Sequence, residues 1–394
     1  MKIGIYIGTI PPPVFIENLV NGLADKNDTV IVYGKASERN YIFSNSGIIQ
    51  RKFPTTQIGI FLYSIYTLSK LIIMQPQLGV TVVKIVRQNS TNWIQFLKRS
   101  CRVLPPFLDN LDIFHIQWAK TLVQYPEFIE KLTSPVVLSL RGAHINYSPL
   151  SDKVLAQKYM KYFPMVAGFH AVSNAIAKET EKYAADPGKI TVIRPAVKRK
   201  LINYEQTKKT IESDEIIIIS VGRCHWKKGY TFALDAMALL KKKDVQFHYT
   251  IIAAGRDHEN IPYQIHDLGL SEYVSLINGL PHDEALNQLS KSDIFLLPSL
   301  EEGISNAVLE AMALGIPVIS TDCGGMDEII NNGENGFLVP VRNVDSMAGA
   351  IRNFRVLDKE NKRNIIRNAR ETITRNHLVS HQIDQFKNFY SKII

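Results

Sequence analysis

Glu302 and Glu310 stand with seven residues between them in the run PSLEEGISNAVLEAMALGIPVIS, residues 298–320. The stretch IFLLPSLEEG reads as an apolar strand ending in a Pro/Glu/Gly loop, and Ser305 or Asn306 can cap a helix through Ala307, Leu309, Ala311 and Met312. Glu302 is therefore expected in the loop and Glu310 on the helix. A carboxylate is a bidentate acceptor for adjacent sugar hydroxyls, so two on either side of a helix start can grip two sugars, a ribose and a second, transferred unit. Gly303 lets backbone approach a ligand, and the helix start offers unpaired amides suited to phosphate or hydroxyl groups. Taken alone, the pair fits a solvated helix face equally well.

A second cluster lies in SVGRCHWKKGY, where Arg223 follows an apolar run and Lys227, Lys228 and Gly229 lead into TFALDAMALL. A nucleoside diphosphate leaving group gathers charge on its oxygens as the sugar bond breaks. Arg223 offers a planar fork and Lys228 a point charge to stabilise it. The bland alternative is an exposed basic turn.

The elements that must hold these groups are short apolar runs alternating with longer mixed segments, the pattern of a parallel sheet. The first half supplies KIGIYIG, TVIVYG, IFHIQW, VVLSLRG and FHAVS; the second supplies IIIISVGR, FHYTIIAAG, VSLING, IFLLPS, PVIST and GFLVP. Two doubly wound α/β domains are expected. The lysine-rich stretch TVIRPAVKRKLINYEQTKKTIESD lacks apolar periodicity and reads as the linker between them. Ligands of open parallel sheets bind beyond the carboxyl ends of the strands, a rule that selects Gly8, Arg141, Arg223, Gly255 and Glu302. No G-x-G-x-x-G follows KIGIYIG, which argues against a nicotinamide dehydrogenase.

At 394 residues, 45% of them hydrophobic, the chain is long enough for two ordinary cores. It has no uncharged apolar run of about 18 residues and no signal-peptide pattern at its start, so the expected location is the cytoplasm. Cys101, Cys224 and Cys323 have neither metal-ligand spacing nor a disulfide framework, which fits a reducing compartment without a structural metal. The net charge of +9 admits nucleic acid, an anionic membrane or anionic substrates. Its clusters at 198–200, 208–209 and 241–243 flank turns or helix ends without a nucleic-acid module, so solvated surface is the reading taken.

With its PS, EG, LEAMA and G-x-P-V-I-S elements, the 298–320 run resembles the donor-site signature of the retaining glycosyltransferases of family 4. GRCHWKKG, ending on Lys228 and Gly229, resembles that family's G-R-x-x-x-x-K-G. The likeness is specific over about residues 216–340. It implies the GT-B fold, two Rossmann-like domains across a cleft: an acceptor-side domain over 1–197, a nucleotide-sugar domain over 198–374, and a helix over 375–394 returning to the first. It implies that Glu310 binds ribose hydroxyls, that Glu302 with the backbone of Gly303, Ile304 and Ser305 binds the donor sugar, and that no divalent metal takes part. Retaining enzymes of this kind lack an obvious protein nucleophile, so no general base is nominated. As an exposed loop carboxylate, Glu302 is expected to matter for turnover and little for the core.

Two places depart from the family. Where many relatives carry H-G-x-D, this chain has VVLSLRGAHINYS, with Arg141 and His144; it is similar there to bacterial polysaccharide enzymes with R-G. Arg141 would contact the donor phosphate or an anionic acceptor group, or bridge loop backbones. The first loop, YIGTIPPPVF, replaces a Gly-rich turn with three prolines, leaving Gly8 either for close donor approach or as an ordinary strand end. His115 in IFHIQWA resembles a D-x-x-H element and reads as acceptor contact or core packing; His170 and His248 read as structural.

Between residues 81 and 104, Val82, Val86, Trp93, Leu97 and Leu104 recur at helical spacing among Lys84, Arg87, Lys98, Arg99 and Arg102, and FLYSIYTLSKLIIM just upstream is apolar but too short to span a bilayer. Such segments either lie on anionic lipid or pack within the domain. The resulting expectation is a transferase moving a hexose-type unit from a nucleoside diphosphate sugar to a cell-surface glycan or lipid-linked acceptor. Its rivals are an epimerase or hydrolase, which would release free sugar, and a non-catalytic binding subunit.

Overall fold

The computed structural model describes residues 1–37, 41–204, 215–255 and 259–394. It divides into two compact units, Met1–Ile193 with Val379–Ile394, and Arg194–Leu378.

The first unit is built on a parallel sheet of β1 (Lys2–Ile10), β2 (Thr29–Ala36), β3 (Ile48–Phe53), β4 (Ile113–Ile116), β5 (Val136–Leu140), β6 (Gly168–Ala171) and β7 (Ile190–Val192), in the order 3-2-1-4-5-6-7. Alternation along β1 feeds two cores. Ile3, Ile5 and Ile7 pack with Phe386 and Tyr390 of the closing Val379–Ser391 helix, and Tyr6 joins Phe114 and Phe128 on the opposite face. Both faces are covered, as parallel sheets require, and each large apolar side chain so buried contributes roughly 1.5–3 kcal/mol.

The second unit repeats the plan with β8 (Ile216–Arg223), β9 (Phe247–Ala254), β10 (Val274–Ile277), β11 (Ile294–Leu297), β12 (Val318–Thr321) and β13 (Phe337–Val339), ordered 10-9-8-11-12-13. The sheet order reverses between β8 and β11, which pair through Ile218 with Ile294 and Ile219 with Phe295. Everything carried on the turns after these two strands is thereby gathered at one end of the sheet, the place where doubly wound folds hold ligands.

All eleven expected strands are present; β3 and β7 were not anticipated. β7 takes Thr191 and Val192 out of the expected linker, and Val197 bridges to Leu378 within the second unit. Residues 205–214 of that linker, Lys208 and Lys209 among them, lie outside the described residues. FLYSIYTLSKLIIM is part of a longer helix, Gln57–Met74. The expected amphipathic stretch over 81–104 is two helices, Pro76–Gln88 and Trp93–Val103, and its Val82, Val86 and Leu104 are buried in the first core.

Candidate functional site

β8 ends at Arg223, and a 3-10 turn, Trp226–Lys228, leads through Gly229 into the Tyr230–Lys241 helix. Gly229 has φ 65°, and a Cβ there would lie 2.0 Å from the Pro298 carbonyl oxygen, so glycine lets this turn close on the loop after β11. The Leu300 amide donates to the Lys227 carbonyl across that contact.

Glu302 lies at its centre. Its Oε1 accepts from Lys228 Nζ at 2.5 Å and Ser299 Oγ at 2.9 Å, and its Oε2 is 3.8 Å from Lys227 Nζ. Glu302 is 7% exposed and Lys227 5%. The expectation of an exposed loop carboxylate is therefore wrong. The loop folds inward because Gly324, with φ 59°, brings its backbone so near the Glu302 carbonyl that a Cβ would stand 1.7 Å from the oxygen, and because the Gly325 amide donates to Gly303 O at 2.9 Å.

Burial alone would raise the Glu302 carboxyl, and the ammonium groups of Lys228 and Lys227 outweigh it, holding the carboxyl below its ordinary value. Burial lowers Lys227 despite Glu302, with Lys228 and Arg223 adding to the effect. Lys227, Lys228 and Arg223 bring three positive charges to two carboxylates, Glu302 and Glu301, which leaves one positive charge in excess. Arg223 is exposed beside them. The cluster is thus short of one anion, which a phosphate oxygen would supply.

The adjoining Asn306–Leu314 helix begins after Gly303, Ile304 and Ser305, and Ser305 makes no side-chain cap, leaving its first-turn amides to a ligand. Asn306 Oδ1 is buried there with no hydrogen-bond partner. Glu310, one turn on, accepts from His282 Nε2 at 2.8 Å, and this bond raises the His282 pKa. His282 starts the His282–Ser290 helix just beyond β10. Sequence reading missed it, although the strand-end rule that selected Glu302 also reaches the turn after β10. Gly255, exposed with φ 141°, follows β9. The turn after β8 also walls an unanticipated cleft of about 370 Å³ with Cys224, Trp226, Tyr230 and Asn260.

Arg141 and Gly8 belong to the first unit. Gly8 closes a β1 irregularity with φ 86° and open space where a Cβ would stand. Arg141 follows β5, donates from Nη2 to Gln117 Oε1 at 3.0 Å, and stacks 4.5 Å above the Phe15 ring. Its Nε is buried without a partner, and burial pushes the group down to about 10. No carboxylate pairs with it among the described residues.

Behind Arg141 a buried chain of hydrogen bonds continues through Gln117 Nε2 to His115 Nδ1 (3.2 Å), His115 Nε2 to Ser139 Oγ (2.8 Å), and Ser139 Oγ to His170 Nδ1 (2.8 Å), with Tyr390 OH 2.7 Å from His115 Nδ1. His115 is 0% exposed, so of its two readings core packing holds and direct acceptor contact does not. His170 also meets the Ile193 carbonyl, and His248 bonds Ser275 across β9 and β10, both structural as read. Among the described residues no group of three or more His, Cys, Asp or Glu is placed to hold a metal ion.

Residues 203–372 match the family model described as glycosyl transferases group 1. The chain is 30% identical over 281 residues to the putative colanic acid biosynthesis glycosyltransferase WcaL of Salmonella typhimurium, covering 69% of this chain and 68% of that one. It is 28% identical to the amylovoran biosynthesis glycosyltransferase AmsK of Erwinia amylovora, over 62% and 61% of the two chains. Among solved structures, HepE of Anabaena in complex with UDP-glucose superposes with a TM-score of 0.70 at 17% identity, over 100% of each chain. Sucrose-phosphate synthase of Thermosynechococcus elongatus reaches 0.73 at 16% identity, over 100% of this chain and 99% of its own. These likenesses give the architecture a name: the two Rossmann-like units form a GT-B fold.

Proposed function

The chain belongs to the group 1 glycosyl transferases, and from that premise we propose that it transfers a hexose-type unit, with retention at the anomeric carbon, from a nucleoside diphosphate sugar to a cell-surface glycan or lipid-linked acceptor. Within the group we place it with family 4, in the subset carrying R-G at Arg141 and Gly142. The observation that carries the reading is the Lys227, Glu302 and Lys228 cluster, one anion short, at the carboxyl ends of β8 and β11.

In this reading the diphosphate completes the cluster. Lys228 and Arg223 take the charge that develops as the bond from the anomeric carbon to the phosphate oxygen breaks and its electron pair passes to that oxygen. The acceptor hydroxyl adds from the same face, and its proton goes to the departing phosphate. Charge neutralisation is thus supplied by side chains, without a resident divalent metal. Glu310 holds the ribose hydroxyls; the backbone of Gly303, Ile304 and Ser305 holds the transferred sugar, with Glu302 orienting Lys228 beneath it. Gly8 and Gly255 offer backbone to the donor, and Arg141 its fork to a phosphate or an anionic acceptor.

Two relatives support the choice of substrates. HepE was solved with UDP-glucose, and a relative from Escherichia coli, 27% identical over 53% of this chain, is named as a galactosyltransferase acting on a diphosphoundecaprenol-linked sugar. The free thiols Cys101, Cys224 and Cys323 agree with a reducing, cytoplasmic setting.

The test is a thermal-shift panel of UDP, GDP, ADP and their common sugars on the wild type and Glu310→Ala, since a ligand of the native state raises its stability with the logarithm of saturation. Stabilisation by one nucleotide, lost in the variant, is expected. Absence of a shift with all of them would overturn the donor site.

A further inference from the structure

The helix Gln57–Met74 is apolar on both sides: Leu71 with the half-buried Ile60, Tyr63 and Leu68 packs against the first core, and further apolar residues face outward. Its buried residues are Ser64, Thr67 and Leu71, whereas Ile58, Phe61, Leu62, Ile65, Tyr66 and Ile73 are all exposed, Ile58 at 75% and Ile73 at 78%. Their spacing of three, four, seven and eight residues places them on one face, the one opposite the buried residues. A soluble domain seldom leaves so long an apolar stripe to water. Val80, Trp93 and Ile94, on the two helices that follow, are exposed as well.

The charge pattern selects what meets this stripe. From residue 57 to residue 108 the chain carries Lys70, Lys84, Arg87, Lys98, Arg99 and Arg102 and not one Asp or Glu. Arg99 pairs with Glu127 and Arg102 bonds Tyr125, but Lys84, Arg87 and Lys98 are exposed, and Arg87 lies 5.6 Å over the exposed Trp93 ring. A second copy of this face would bring like charges together, whereas an anionic bilayer matches both the apolar stripe and the cations.

We propose that the outward face of the Gln57–Met74 helix docks the protein onto an anionic lipid surface, lying in its plane. The helix is long and apolar enough to cross a membrane by length and composition. It is held to the protein along its inner side, however, where Ser64 Oγ donates to Leu97 O at 2.8 Å and Gly79 packs against the Ile72 backbone. Only the outer stripe is available to lipid, so the helix lies flat. This inference does not depend on the donor-site reading.

The test is flotation of the full chain with vesicles of phosphatidylglycerol and phosphatidylcholine, and with phosphatidylcholine alone, at low and high salt. The wild type is expected to float with the anionic vesicles only, less at high salt. Leu62→Ser with Ile73→Ser, and separately Lys84→Glu with Lys98→Glu, should each weaken binding about tenfold or more, each lysine near the surface being worth roughly fivefold. Thermal melts should show both variants folded, since the four side chains are exposed. The proposal is overturned by failure to bind anionic vesicles at low salt, by equal binding to neutral ones, or by folded variants that bind like the wild type. A wild-type dimer that Leu62→Ser with Ile73→Ser dissociates, without vesicle binding, would assign the face to a second copy and equally overturn it.

Discussion

Lys228 Nζ is 2.5 Å from Glu302 Oε1, and the carboxylate that receives it is buried between the turn after β8 and the loop after β11. In the proposed function this pair joins stability to catalysis. Removing the acid leaves two ammonium groups in a space they cannot share charged, and an uncompensated buried charge costs on the order of 3 kcal/mol.

Glu302→Gln is therefore expected to lose both turnover and about 3 kcal/mol of stability, measured by steady-state kinetics and urea unfolding. Lys228→Ala, which takes away the charge proposed to face the leaving group, should lower kcat/KM by roughly 10²–10³. Because the folded Glu302 carboxyl sits below its ordinary value, the stabilisation is present above the ordinary glutamate range and is lost as pH falls through the folded value. A Glu302→Gln protein as stable as the wild type would remove the buried-charge account.

Arg141 presents the opposite case, a half-buried cation without an acid and with its Nε buried. Its substitution by Ala forfeits the Gln117 hydrogen bond and the Phe15 stacking but also relieves an unpaired charge and an orphaned Nε. Those effects oppose one another, so stability should move by about 1 kcal/mol or less. The transferase rate should fall about a hundredfold if an anion of the substrate normally completes the group. A loss of more than about 2 kcal/mol with the rate preserved would make Arg141 a bridge between loops.

What was legible from sequence follows from periodicity. Strands buried on both faces, such as IIIIS in β8 and IFLL in β11, announce themselves as unbroken apolar runs. β3, IIQRKF, is an edge strand with a largely half-exposed middle, and β7 has three residues, so neither offers such a run. Glu302 and Glu310 were singled out by the resemblance of the run around them to a family signature, yet a signature cannot say that a loop folds inward; that depends on Gly324, 22 residues later in the chain. Nor can helical periodicity say which face is inside. Gln57–Met74 is apolar on both sides, and only the packing of Ser64, Thr67 and Leu71 shows which side is left outward.

His115 and His170 carry the last prediction. Each is buried and neutral: burial first, then the charge of neighbouring groups, lowers His115 well below its ordinary value, and burial with Arg141 pushes His170 down to about 3. Between that value and the ordinary histidine pKa near 6.5, the unfolded chain binds a proton that the folded chain refuses. Their stabilisation is consequently complete above about pH 6.5 and is lost progressively as the pH falls toward the folded values. Each histidine should cost the fold about 2 kcal/mol between pH 7 and pH 5. Urea unfolding at those two pH values measures the sum, and His170→Gln should remove its own share of the slope. His115→Gln should cost about 1–3 kcal/mol by leaving Ser139 or Tyr390 unsatisfied, with the acceptor KM unchanged. A raised acceptor KM in a protein of undiminished stability would return His115 to the substrate; a stability flat from pH 7 to pH 5 would mean that water reaches the chain from Gln117 to His170 and lets it take up protons.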